Sequence, residues 1–130
     1  MDLAEFRGCV IVVLFFASWS REPSLRAMTL FERLHSELYG DGLRVVGVAE
    51  ERSVAEFDAF LVEAPLSFPV AREDFVHVDV AGPRGYRIWS LPETYVFDRH
   101  GVQRDERSGF HDISDPLPIE AVVRALLAEP

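Results

Sequence analysis

Ser20 and Ser24 stand in the segment Phe15-Phe16-Ala17-Ser18-Trp19-Ser20-Arg21-Glu22-Pro23-Ser24, where an apolar run gives way to a proline-marked turn. Hydroxyls at such a corner could serve as nucleophiles only with a histidine base and an orienting acid in contact. The histidines do not offer this. His35 falls inside an apolar helical face and reads as a core residue, while His77, His100 and His111 fall in loops or turns. His77-Val78-Asp79 and His111-Asp112 are too sparse for a metal site, no Gly-rich phosphate loop occurs, and no cofactor is expected. The one cysteine, Cys9, excludes an intramolecular disulfide and reads as a small, half-buried hydrophobe. The residue types at the corner therefore predict a structural use for a hydroxyl: Ser20 or Ser24 as a helix N-cap.

The elements that must position these residues follow from the apolar pattern. Residues 10–16 are continuously apolar and rich in β-branched side chains, as a central strand covered on both faces requires. After the 20–23 turn, Leu25, Met28, Phe31, Leu34, His35 and Leu38 mark one face of a helix that Gly40 and Gly42 end. Residues 43–49 form a second buried strand. Ser53 followed by Glu56 has capping-box spacing for a helix whose core face is Val54, Phe57, Phe60 and Leu61.

A Pro- and Gly-punctuated stretch spans 64–87, with a short strand expected at 75–80. Residues 94–97 read as a strand, Asp98-Arg99-His100-Gly101 as a tight turn into a partner near Val102, and 118–128 as a closing helix. The order β-α-β-α-β-β-α predicts an α/β fold, a central mixed sheet flanked by helices on both faces.

Length and charge bound the function. The 130 residues predict one domain spanning 1–130. A net charge of −9 disfavours nucleic acid and anionic membranes, because neither is held without clustered cations. The apolar run 9–17 is too short to span a bilayer and lacks the basic lead of a signal peptide, so neither membrane insertion nor export is indicated, and the compartment is cytoplasmic by default.

Several strings in order resemble the thioredoxin-like proteins of the TlpA/ResA type, which are thiol-disulfide oxidoreductases. Phe6-Arg7-Gly8-Cys9-Val10-Ile11-Val12-Val13-Leu14-Phe15-Phe16-Ala17-Ser18-Trp19 is similar to that family's "LRGKVVLVNFWASW". Residues 43–49 are similar to its "GVEVVGVS", and Phe68-Pro69-Val70 to its "FPV". Residues 86–101 are similar to its "YGVRGLPTTFLIDRDG". The resemblance covers about 6–109 and implies a thioredoxin-like fold, with export common among its members. It implies a cis bond at Leu91–Pro92, packed beside Trp19 and Ser20, and backbone groups there that can pair with an extended peptide. Trp19, Tyr86 and Trp89 would gather around it.

The departures concern the chemistry. Ser20 stands for the first cysteine of the family's dithiol and Ser24 for the second, with Pro23 as the alternative second position. A hydroxyl does not ionise near neutral pH and cannot exchange with sulfur. The family's hairpin ahead of the first string has no counterpart in 1–5, so either the sheet lacks an edge or the sequence is cut from something longer.

Two readings remain. One is a redox-inactive domain without catalytic residues as written, keeping a docking surface for a protein or peptide at Trp19, Trp89, Ser90, Leu91 and Pro92. The other is a thiol-disulfide oxidoreductase of this type whose two cysteines are replaced by serine.

Overall fold

The computed structural model describes residues 3–51, 53–72, 91–109 and 117–130. Strand β1, Val10–Phe16, is buried along its whole length and forms the middle of a five-stranded sheet of order β3-β2-β1-β4-β5. Strand β2, Leu43–Ala49, and β3, Val70–Arg72, run parallel to it; β4, Glu93–Phe97, and β5, Gln103–Ser108, complete the antiparallel side. The register pairs Phe16 with Ala49 and Phe15 with Glu93, so both neighbours of β1 reach the same corner.

Alternation along β1 separates two cores. Val10, Val12, Leu14 and Phe16 point to the face covered by helices α1, Arg21–Leu38, α2, Val54–Glu63, and α3, Ile119–Ala128. Ile11, Val13 and Phe15 point to the other, with Val46, Val48, Leu91, Tyr95 and Phe97, and Phe6 packed against them. All three α-helices among the described residues pack on the first face.

Three expectations are corrected. The helix after the corner begins at Arg21, so Pro23 sits in its first turn, where the missing N–H is one that no intrahelical acceptor would use. Ser53 caps α2 by accepting from the Glu56 N–H at 3.2 Å, but Val54 lies outside the core face and is exposed. Val70–Arg72 is a strand within the stretch read as irregular; three residues beside Pro69 are too few to show a period. The strand expected at 75–80 lies outside the described residues, as do Tyr86, Trp89 and Ser90.

His35 is buried on α1, hydrogen bonded with the Ser67 hydroxyl at 3.3 Å and edge-on to Tyr39 and Phe68. Burial lowers its pKa, and Arg44 adds to this against an opposing pull from Glu32. It is the satisfied core histidine that its position in the sequence suggests.

Candidate functional site

At the C-terminal end of β1 the chain turns through a short 3-10 segment, Ser18–Ser20, straight into α1. Five hydrogen bonds that involve side chains hold this corner. The Ser18 hydroxyl donates to Glu51 at 2.6 Å, and the Ser18 N–H donates to the other oxygen of the same carboxylate. The Trp19 indole N–H donates to the Glu50 carbonyl at 3.0 Å. The Ser20 hydroxyl donates to the Leu91 carbonyl at 2.7 Å, and the Ala17 N–H donates to the Ser24 hydroxyl at 3.3 Å. Arg21 adds an exposed ion pair to Glu63, which raises its pKa by hydrogen bond and charge.

The structure thus brings Trp19, Ser20, Leu91 and Pro92 together. Trp19 is 57% exposed although its nitrogen is anchored, so the ring is held open to solvent rather than folded into the core. Leu91 and Pro92 are buried, and the peptide bond between them is cis. Trp89 and Ser90 lie outside the described residues.

The N-cap expectation needs correction. Ser20 occupies the N-cap position of α1, but its side chain makes no cap hydrogen bond, because the hydroxyl reaches across to Leu91 instead. Ser24 lies one turn into the helix, fully buried, and receives a backbone N–H from β1's exit. The two hydroxyls therefore serve different partners.

No base approaches them among the described histidines. His35 lies farther along α1, roughly 22 Å beyond Ser20 and roughly 16 Å beyond Ser24 at about 1.5 Å per residue. His100 belongs to the turn after β4, at the other end of the sheet, bonded to the Pro130 carbonyl at 3.2 Å. Among the described residues no cluster of three or more His, Cys, Asp or Glu could hold a metal. No helix among them is long and apolar enough to cross a membrane. Cys9 is half-buried at the opposite end of β1, lining a cavity of about 390 Å³.

Sequence reasoning missed three carboxylates here. Glu50 and Glu51 follow the apolar run of β2 directly, and that abrupt change from apolar to acidic was the available signal. Glu93, which follows Pro92, is fully buried in β4 and accepts from the Ser108 hydroxyl at 3.3 Å. Its neighbour Tyr95 has its phenol pushed well above the usual value, first by burial, then by the charges of Glu93 and Glu106 and a hydrogen bond to Glu93. The signal was a lone charge between Pro92 and the strand read at 94–97.

No family model matches the chain, and no curated protein matches it in sequence. Solved structures do. A Chlorobium tepidum protein assigned as the thiol:disulfide interchange protein DsbE superposes with a TM-score of 0.80 at 24% identity, over 97% of this chain and 85% of that one. A thiol-disulfide isomerase from Corynebacterium glutamicum gives 0.74 at 22% identity, over 100% and 88%. A thioredoxin-family thiol:disulfide interchange protein from Chlorobium tepidum gives 0.70 at 19%, over 97% and 85%. The fold is thioredoxin-like.

Proposed function

We propose that the chain is a redox-inactive member of the thioredoxin-like proteins of the TlpA/ResA type, which docks an extended peptide of a protein partner beside the Leu91–Pro92 loop. The observation that carries this is the pairing of an anchored but open indole, Trp19, with a serine hydroxyl on the loop's carbonyl, where sulfur chemistry would need a thiolate. The docking residues are Trp19, Leu91 and Pro92, with Trp89 and Ser90 assigned from the sequence. Indole faces beside free backbone edges suit peptides, because main-chain bonds supply affinity while the ring covers an apolar side chain.

The acidic surroundings select the probe. Glu22, Glu50, Glu51 and Glu63 stand around the corner with Arg21 and Arg26, in a chain of net charge −9. A fluorescein-labelled decapeptide of alternating threonine and lysine is extended and basic. It is expected to bind the wild type and to bind Trp19→Ala and Pro92→Ala at least fivefold more weakly. Unchanged binding by both variants would overturn the reading. In parallel, Ser20→Cys/Ser24→Cys is expected to remain inert in insulin disulfide reduction. Robust turnover by it would favour the disarmed oxidoreductase instead.

A further inference from the structure

We infer that the cavity at the N-terminal end of β1 binds a small carboxylate with an apolar body, held through its charge by Arg7 and Arg99. This goes beyond the docking reading and does not depend on it. The cavity measures about 390 Å³ and includes Cys9, the residue just ahead of β1, at the end of the strand away from Trp19. Small-molecule sites run from roughly 300 to 1,000 Å³, so a compact ligand has room here.

Two turns build its walls. Ahead of β1 the chain winds through a 3-10 turn, Leu3–Phe6, and Gly8 then takes φ +86°, which glycine adopts at little cost. The Cys9 N–H returns to the Phe6 carbonyl at 3.0 Å, and Phe6, Arg7 and Cys9 all line the cavity. After β4, Asp98 accepts from the His100 and Val102 N–H groups at 2.9 and 3.0 Å. The turn so held presents Arg99 and His100 to the same space. Phe6 and Ile11, both part of the second apolar cluster, supply apolar wall.

Charge makes the cavity selective. The chain has no lysine, and its 13 arginines face 22 acidic residues, so most guanidinium groups should find a carboxylate. Among the arginines whose side chains are described, Arg21, Arg26, Arg33, Arg104, Arg107 and Arg124 each do. Arg7, Arg44 and Arg99 meet no described carboxylate. Arg44 lies over the Tyr39 ring at 3.6 Å, and Arg99 donates to three carbonyls. Arg7 and Arg99 are the two that line this cavity.

The other charged groups of the wall are already engaged. Asp98 is taken by Arg104 at 3.0 Å, and the His100 ring meets the Pro130 carbonyl at 3.2 Å. Two guanidinium charges thus stand beside apolar side chains with no described carboxylate to neutralise them. A ligand carboxylate would do so, since the planar guanidinium matches it with two parallel N–H···O bonds. Arg7 is exposed and outside any described ion pair, so it can turn to such a ligand.

The test titrates 3-phenylpropionate, with its uncharged amide as control, into the isotopically labelled chain and follows the amide shifts of Cys9 and Gly101. Saturable binding is expected with a Kd of about 1 mM or tighter, and the amide should bind roughly 5-fold or more weakly. Arg7→Gln is expected to weaken the carboxylate roughly 3- to 10-fold, and Arg7→Lys, which keeps the charge, to recover most of the affinity. Saturating 3-phenylpropionate should also slow alkylation of Cys9 by iodoacetamide, a neutral reagent. Equal affinity for acid and amide, shifts that gather at Trp19 instead, or no saturable shift would each overturn the inference. So would an Arg7→Gln variant that binds as the wild type does. The acid and amide comparison uses only the wild type and stands whether or not that variant folds. None of these outcomes bears on the docking reading, which the decapeptide tests separately.

Discussion

The two ends of β1 are fastened differently. At the N-terminal end the fastenings are charged. Arg99 donates to the carbonyls of Gly8, Asp41 and Leu127 at 3.0, 3.0 and 2.9 Å, tying the entry to β1, the turn before β2 and the end of α3 together. Beside it, buried Asp98 accepts from the N–H groups of His100 and Val102 and from Arg104, which also grips Glu129 through both terminal nitrogens. At the Trp19 corner serine hydroxyls and an indole do most of the fastening, with Glu51 gripping Ser18 and an exposed Arg21–Glu63 pair beside them, and the Trp19 ring stays in solvent. The contrast separates the end tied by charged groups from the end proposed above to meet a partner.

Removing an anchor at the Arg99 end should cost the most stability. Arg99→Ala strips three carbonyls of a charged donor, and Asp98→Ala strips two N–H groups and Arg104 of their acceptor. Each is expected to lower stability by roughly 2–3 kcal/mol in urea unfolding while leaving decapeptide affinity unchanged. Ser24→Ala, at the corner, removes the buried acceptor of the Ala17 N–H and should cost about 1–2 kcal/mol. Trp19→Ala should change stability by no more than about 0.5 kcal/mol, since its ring is exposed, yet it should weaken docking. A Trp19 variant that melts like an Arg99 variant would break the comparison.

Acid should act on two buried titratable groups, His35 and Asp98, in separate windows. His35 has a lowered folded pKa, so the unfolded chain takes up its proton first. The stability it supports is present above the ordinary value of 6.5 and is lost as pH falls below it. Asp98 is the opposite chemical type. Burial opposes its ionisation, but the Val102 and His100 N–H groups and Arg104 outweigh this and leave its pKa lowered. Its contribution is present above the unfolded carboxylate range and is lost as pH falls through the folded value. Melting temperatures should therefore fall in two stages, and His35→Gln should flatten only the first. A His35→Gln profile identical to that of the wild type would contradict this assignment.

The strands β1, β2 and β4 and the three helices were legible because each carries enough apolar residues to show its period. Strand β5, Gln103-Arg104-Asp105-Glu106-Arg107-Ser108, has no apolar residue, and only the turn before it betrayed a partner. At the site, Trp19 and Pro92 could be named from motif strings. The use of Ser20 could not, since capping and reaching across to another loop call for the same hydroxyl. Glu51 was equally hidden, because its grip on Ser18 joins residues that only the fold brings together.

The most direct test of docking at the corner is a titration of the isotopically labelled chain with the decapeptide, followed by amide and indole N–H shifts. The account predicts changes concentrated at the Trp19 indole N–H, Ser20 and Leu91, with Gly8, Asp41 and Arg99 unmoved. Shifts centred on Gly8 and Arg99, or none at the Trp19 corner, would contradict it.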